Sequence, residues 1–198
     1  MANKFTTIPS GPIGIVALGP VPPADIDLVA SEVRRLTGVE PKRLPSVEDV
    51  SSRMDRVRLQ LDADRLLIDL FNILSSYTDL VHIVGIVDAD MFSARRTFVF
   101  GYAHLRDGMA LVSLARLRDG DRNRFRARVR RVLTHELGHV WGCFHHEDTS
   151  LRPRPCIMRN VADIKQVDAL PLRYCPACLG KLRPLVARSI AVAAAGGR

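Results

Sequence analysis

The stretch that most constrains this chain is His135-Glu136-Leu137-Gly138-His139-Val140-Trp141-Gly142-Cys143-Phe144-His145, which reads H-E-x-x-H-x-x-G-x-x-H. On a helix, His135 and His139 lie one turn apart on the same face, so both imidazoles reach one ion. Glu136 stands beside that pair, where a carboxylate holds and deprotonates a metal-bound water. Gly142 takes the left-handed conformation that ends a helix, and the returning chain brings His145 as a third ligand. Three protein ligands and one open water position describe a catalytic zinc site, not a closed structural one. The competing reading, an ordinary core helix with a chance H-E-x-x-H, leaves Gly142 and His145 unexplained.

The helix carrying this stretch is predicted over Arg122 to Trp141, with Phe125, Val129, Val132 and Leu133 as its apolar stripe and arginines crowding its other faces. Upstream, Ile13 to Leu18 reads as a buried strand, and Ala24 to Leu36 as a helix closed by Gly38. Val39 to Leu44 reads as a second strand and Glu48 to Arg53 as loop. Val57, Leu59 and Leu61 alternate with Arg58 and Gln60, the period of a half-buried strand. Asp62 then caps a helix through Leu66, Leu67, Leu70, Phe71 and Leu74. Val81 to Val87, Thr97 to Tyr102 and Met109 to Leu114 are further strands, the last two joined by the turn Arg106-Asp107-Gly108. Asp88 and Asp90 cap a turn rather than bind a cation, and His82 and His104 are buried or edge histidines rather than ligands. Past His145 the chain is irregular from Glu147 to Pro155. A final helix opens at Cys175-Pro176-Ala177-Cys178 and runs through Leu182, Leu185, Val186 and Ile190.

Strands come early and the motif helix late. The expected fold is therefore α/β (α+β): a mixed twisted sheet with flanking helices, a long active-site helix and a small C-terminal subdomain. The whole chain, 1–198, forms one domain; 1–142 is the sheet-and-helix part and 143–198 the C-terminal part. The size is ample for one core, at 198 residues with 47% hydrophobic and 25% charged. The net charge of +8 comes mostly from arginine. With no nucleic-acid motif and no basic run interleaved with aromatics, it reads as a solvated surface and not a specific nucleic-acid site. No secretory start and no membrane-length apolar run is present, which points to a cytoplasmic monomer that meets no membrane. In such a compartment Cys143, Cys156, Cys175 and Cys178 are metal ligands before they are disulfides.

The eleven-residue pattern, followed by Met158, has the form of the metzincin signature with its methionine turn. More closely, H-E-L-G-H-x-x-G-x-x-H, then Cys156-x-Met158, then Cys175-x-x-Cys178 and a helix resembles the archaemetzincins. Phe98-Val99-Phe100-Gly101-Tyr102-Ala103, Val112-Ser113 and Arg116-Leu117 are similar to the same family. The resemblance covers roughly residues 81 to 186. It implies a metzincin-like zinc metallopeptidase with His135, His139 and His145 on the catalytic zinc, Glu136 as base and proton shuttle, and Met158 beneath the metal. It also implies that a peptide or protein substrate pairs along an edge strand, expected at Met109 to Leu114. A second, structural zinc is held in that family by four cysteines. Here the chain departs, because His146 stands where the family has cysteine, and the loop onward to Cys156 is longer.

For that second site Cys175-x-x-Cys178 is a strong half-site, and Cys156 lies next to the methionine turn. The missing ligand is Cys143 or His146. In an extended segment neighbouring side chains point to opposite sides, so His145 and His146 can face one zinc each. The expectation is two Zn²⁺ per chain, the structural one held by His146, Cys156, Cys175 and Cys178. The rivals are a non-catalytic zinc scaffold, which has no need of Glu136, and another zinc hydrolase such as a deaminase or amidase built on the same three histidines.

Overall fold

The computed structural model describes residues 12–105, 107–146 and 155–182. The expected loop 147–154, Arg106 of the turn, and Leu185, Val186 and Ile190 of the final helix lie outside the described residues. The elements run β1 (Ile13–Ala17), α1 (Pro23–Thr37), β2 (Lys42–Arg43), β3 (Met54–Asp55), β4 (Gln60–Asp62), α2 (Ala63–Ser75), β5 (His82–Val87), β6 (Met91–Ser93), β7 (Arg96–Val99), β8 (Gly101–Ala103), β9 (Met109–Ser113), α3 (Arg122–Val140) and α4 (Ile164–Ala169). A further helix, α5, occupies 176–182 of the described chain.

The main sheet has the order β2-β1-β5-β9-β8. Its first four strands are parallel and β8 is antiparallel to β9. β1, β5 and β9 are buried along their whole length, as strands covered on both faces are, while β2 at the edge is the exposed pair Lys42-Arg43. Alternation along them splits the core in two. Ile13, Ile15, Val84, Ile86 and Val112 face α1 and α3. Val16, Ile83, Val87 and Leu111 face Leu66, Leu67 and Leu70 of α2. The result is a three-layer mixed α/β unit with α3 laid across β8 and β9. A second sheet, β3-β4-β6-β7, flanks the first.

Four strand expectations are corrected. Val57 and Leu59 do not belong to a half-buried strand: they are 95% and 74% exposed, Leu59 has a φ of 56°, and only Gln60–Asp62 joins a sheet. Their backbone is turned over by Asp55, whose carboxylate accepts from the amides of Val57 and Arg58 at 2.9 Å. The single strand expected over Thr97 to Tyr102 is two strands in two different sheets, with buried Phe100 between them. The apolar alternation runs through the crossing, so the sequence pattern does not mark it. Met109–Ser113 is interior, paired to β5 on one side and β8 on the other, so the free edge beside α3 belongs to Gly101–Ala103. The strand expected at Val39 to Leu44 shortens to Lys42–Arg43, and Ser51–Arg53 in the expected loop forms a 3-10 turn.

The other elements fall where propensity and capping put them. Asp62 caps α2 through the amides of Asp64 and Arg65, and Gly38 closes α1 with a φ of 73°. Asp88 pairs with Arg118 and Asp90 with Arg116, which gives both turn carboxylates guanidinium partners. His82 is buried in β5, and His104 lies 3.3 Å from Asp107.

Candidate active site and metal centres

Helix α3 is the platform. Asp121 caps its start by accepting from the amides of Asn123 and Arg124, and Phe125, Val129, Val132 and Leu133 bury its stripe against the sheet. At the far end Trp141 leaves helical geometry and Gly142 takes a φ of 88°. The amides of Gly142 and Cys143 then close back onto the carbonyls of His139 and Gly138 at 2.8 Å. This reversal carries the chain back over the helix and delivers His145.

The three Nε2 atoms form a nearly equilateral triangle: His135 to His145 3.0 Å, His139 to His145 3.0 Å, and His135 to His139 3.1 Å. A tetrahedral site with Zn–N near 2.0–2.1 Å has edges of roughly 3.3 Å, so the triangle fits a zinc ion with slight opening. Two of the rings are oriented from behind. Nδ1 of His135 donates to the Ile157 carbonyl and Nδ1 of His139 to that of Cys143, both at 2.8 Å. That tautomer leaves each Nε2 lone pair for a metal. Burial first, then the neighbouring imidazole, holds His135 down to about 3. Burial followed by His139 and Arg96 holds His145 down to about 4, and burial lowers His139 as well. All three are therefore neutral at pH 7, as ligands must be.

Glu136 is 7% exposed and lies under β8. A Cβ built on Gly101 would come 2.5 Å from its Cγ and 2.6 Å from Oε1, so the edge strand can lie over the carboxylate only because residue 101 has no side chain. Burial pushes the Glu136 carboxyl up to about 8. A divalent ion at the histidine triangle would favour the carboxylate form again. On the helix's other flank, a Cβ at Gly138 would land on the Met158 sulfur and on the Tyr174 ring. Met158 is fully buried there, and Tyr174 is fixed by its hydroxyl donating to the Thr134 carbonyl at 2.6 Å.

The second cluster joins His146, Cys156, Cys175 and Cys178, whose ligand atoms all lie within 4.8 Å of one another. His146 Nε2 is 3.2 Å from the sulfurs of both Cys175 and Cys178, and the sulfurs of Cys156 and Cys178 are 3.9 Å apart. Four donors at such spacings suit a closed tetrahedral Cys₃His zinc, for which Zn–S near 2.3 Å sets S···S at roughly 3.8 Å. The Cys175 amide donates to the Cys156 sulfur at 3.2 Å. Cys143 is fully buried beside this cluster but outside its four-donor set. The His146 amide donates to the Met158 carbonyl at 3.1 Å, tying the segment from the first cluster to the methionine turn. His145 and His146, adjacent in the chain, thus serve different clusters.

A cleft of about 570 Å³ opens over the histidine triangle between β7–β8 and the segment after Met158, with Phe98, Phe100, Val132, Val161, Val167 and Leu170 among its walls. Sequence reasoning found every ligand candidate but missed the supports. Asp121 and the Asp163–Gln166 cap of α4 were legible as capping signals, since an Asp precedes each helical run. Gly101 and Gly138 left no local signal, because a close approach is defined only by what crosses over it.

The comparison with known proteins follows this geometry. The model of peptidase family M54 matches residues 25–184. The chain belongs to that family. An archaemetzincin of Aeropyrum pernix is 31% identical over 126 residues, 63% of this chain and 66% of that protein. One of Archaeoglobus fulgidus is 33% identical over 100 residues, 50% of this chain and 59% of that protein. The aligned stretch thus spans 59–66% of the length of these curated relatives. Among solved structures, the A. fulgidus archaemetzincin complexed with malonate has a TM-score of 0.71 at 24% identity and is covered over 99% of its length by 85% of this chain. The Methanopyrus kandleri archaemetzincin has a TM-score of 0.70 at 26% identity, with 92% of this chain and 97% of that one covered. The M54 fold is thereby that of the described chain.

Proposed function

We propose that this M54 protein is a zinc-dependent peptidase in which Glu136 is the general base and proton shuttle. The observation that carries the reading is the triangle of neutral imidazoles with a buried carboxylate on the same helix turn, open to a cleft lined along one side by a free strand edge. His135, His139 and His145 would hold a zinc ion, which would supply Lewis acidity for the scissile carbonyl and for the attacking water. The protein's own groups do the rest. The carbonyls of Ile157 and Cys143 keep the two helix imidazoles in the ligand tautomer. Glu136 takes the water proton during attack and releases it to the leaving amine. The Gly101–Ala103 edge offers backbone groups to an extended peptide, in place of the interior β9. Met158 provides a packed apolar floor beneath the histidines.

The reading includes a second, structural zinc on His146, Cys156, Cys175 and Cys178. All four cysteines stand free of disulfides, and the three ligand thiols Cys156, Cys175 and Cys178 must stay reduced to bind it, which supports a cytoplasmic setting. Among the described residues no helix is long and apolar enough to cross a membrane. The division at residue 142 fits the separate small core formed by Cys143, Cys156, Ile157, Met158 and their neighbours.

The test is a peptide-library digest read by mass spectrometry, with Glu136→Gln protein as control. Cleavage by the wild type, a loss of about 10²–10⁴-fold in the variant, and retained zinc are the expected result. Equal cleavage by both proteins would remove Glu136 from the role of base. Retained metal with no cleavage of any peptide by the wild type would favour a non-catalytic zinc protein.

A further inference from the structure

The charges along the cleft are unevenly distributed. Of its lining residues Glu136 is the one acid, and it sits on the floor; Arg95 and Arg96 stand together on the rim. Both arginines are exposed. Most of the other described arginines are engaged with carboxylates, among them Arg53 with Asp69, Arg116 with Asp90, Arg118 with Asp88, Arg128 with Asp168 and Arg130 with Glu32. Neither Arg95 nor Arg96 has an ion pair with a described residue. The Arg96 guanidinium instead donates to the neutral Asn160 side-chain oxygen at 2.8 Å, across the cleft from its own strand. That bond fixes the direction of the fork without neutralising it, so Asn160 is a positioning residue. Arg96 lines the same cleft as His135, His139 and His145, which places its charge on the rim beside the histidine triangle. Arg95 acts on Tyr102 of the edge strand.

Resting on the peptidase reading of this cleft, we infer that Arg95 and Arg96 select substrates carrying a carboxylate close to the scissile bond. A cleft with apolar walls focuses the field of two guanidiniums that have no carboxylate partner among the described residues, and a bound divalent ion would add to the same sign. The planar fork matches a carboxylate with two parallel bonds, which a neutral amide of the same shape cannot supply. An extended peptide advances about 3.3 Å per residue, so a rim beside the triangle reads a side chain within two or three residues of the cut. The carboxylate comes from an internal Asp or Glu or from the chain's free C-terminus, and the two are separated by experiment.

Four peptides suffice: one cleavable sequence with Glu or Gln at the recognised position, each with a free or amidated C-terminus. For the wild type, kcat/KM is expected to be about tenfold higher for Glu than for Gln, the factor typical of one charge-assisted contact in a partly sheltered site. In Arg95→Gln/Arg96→Gln protein the ratio falls to about one. Arg96→Lys gives an intermediate ratio, and Asn160→Ala lowers it without removing it. Salt erodes the wild-type preference. A preference that follows the free terminus instead assigns the same arginines to α-carboxylate recognition. Equal rates on all four peptides, or a ratio unchanged in the double variant, would overturn the inference. Equilibrium binding of the same peptides, fluorescein-labelled, to zinc-loaded Glu136→Gln protein reads selectivity without turnover. Tighter binding of the Glu peptide that disappears in the Arg95/Arg96 background supports the inference even if no peptide is cut, and indifferent binding refutes it. Loss of cleavage with selective binding intact would count against the peptidase reading alone.

Discussion

Glu136 sits where its neighbours make ionisation costly, and the backbone above it sets how closely water and peptide approach. With Gly101 replaced by alanine, the new methyl group meets the Glu136 side chain at Cγ and Oε1 together, and not only at its flexible tip. The carboxylate or the edge strand must therefore shift. Gly101→Ala is expected to keep both metal clusters, since no ligand lies on β8, while turnover drops by at least about tenfold; a misplacement of 1 Å can cost roughly a hundredfold. Steady-state kinetics alongside metal content per chain checks this. Parental kcat with normal metal content would show that the close approach has no catalytic consequence. Gly138 is the same kind of position on the opposite flank, where absence of a side chain lets Met158 and Tyr174 reach the helix axis beneath His135 and His139. The candidate ligands were legible in the sequence because metal chemistry dictates their type and spacing. The two glycines were not, since only the folded neighbours reveal why nothing larger fits.

Helix α3 is anchored through arginines whose partners sit on other elements. Glu32 of α1 is 1% exposed and accepts from Arg35, Arg126 and Arg130. Burial alone would raise its carboxyl, but the hydrogen bonds from Arg130, Arg35 and Arg126 outweigh it and bring the group from 4.5 down to about 2. A carboxylate depressed on folding stabilises above its unfolded value, and that stability is lost as pH falls through the folded one. The window is thus from about 4.5 down to about 2, and the contribution at neutral pH is on the order of 3 kcal/mol. Urea unfolding of wild type and Glu32→Gln across this range is expected to show a stability difference that shrinks with acid; a constant difference would refute the assignment. Most of the described arginines of α3 are paired, and the partners on α1 and α4 and Asp119 in the turn before α3 lie beyond the reach of local spacing. Periodicity located α1, α2, β1, β5 and α3 well, because each buries one face against a single layer. It misjudged 57–61 and 97–102, where alternation reflects a turn and a sheet crossing; the edge expected at Met109 to Leu114 from the resemblance is instead interior, since strand order is a property of the assembled sheet.

Among the described residues, the C-terminal part buries little aliphatic material. Of the eight buried residues in its core, four are Cys143, Cys156, Cys175 and Cys178, and the aliphatic members are Ile157, Leu170 and Leu182 with Met158. Units this small commonly depend on a structural metal. They also rest on the rest of the molecule: Arg128 grips Asp168 through two bonds of 2.8 and 2.7 Å, Arg131 donates to the Leu170 carbonyl, and Tyr174 to that of Thr134. The methionine turn lies between these anchors and the Cys₃His cluster, so removing an ion there should loosen Met158 and the carbonyl of Ile157 that orients His135. Fully loaded wild type is expected to carry close to two zinc ions per chain. His146→Ala should lose one, melt several degrees lower, and exchange amide hydrogens faster across 155–182 while the five-stranded sheet stays protected. Cys143→Ser should keep both ions, because its sulfur stands outside the four-donor set. If Cys143→Ser loses an ion and His146→Ala does not, the ligand assignment is reversed, and the buried thiol at the helix end holds the metal instead.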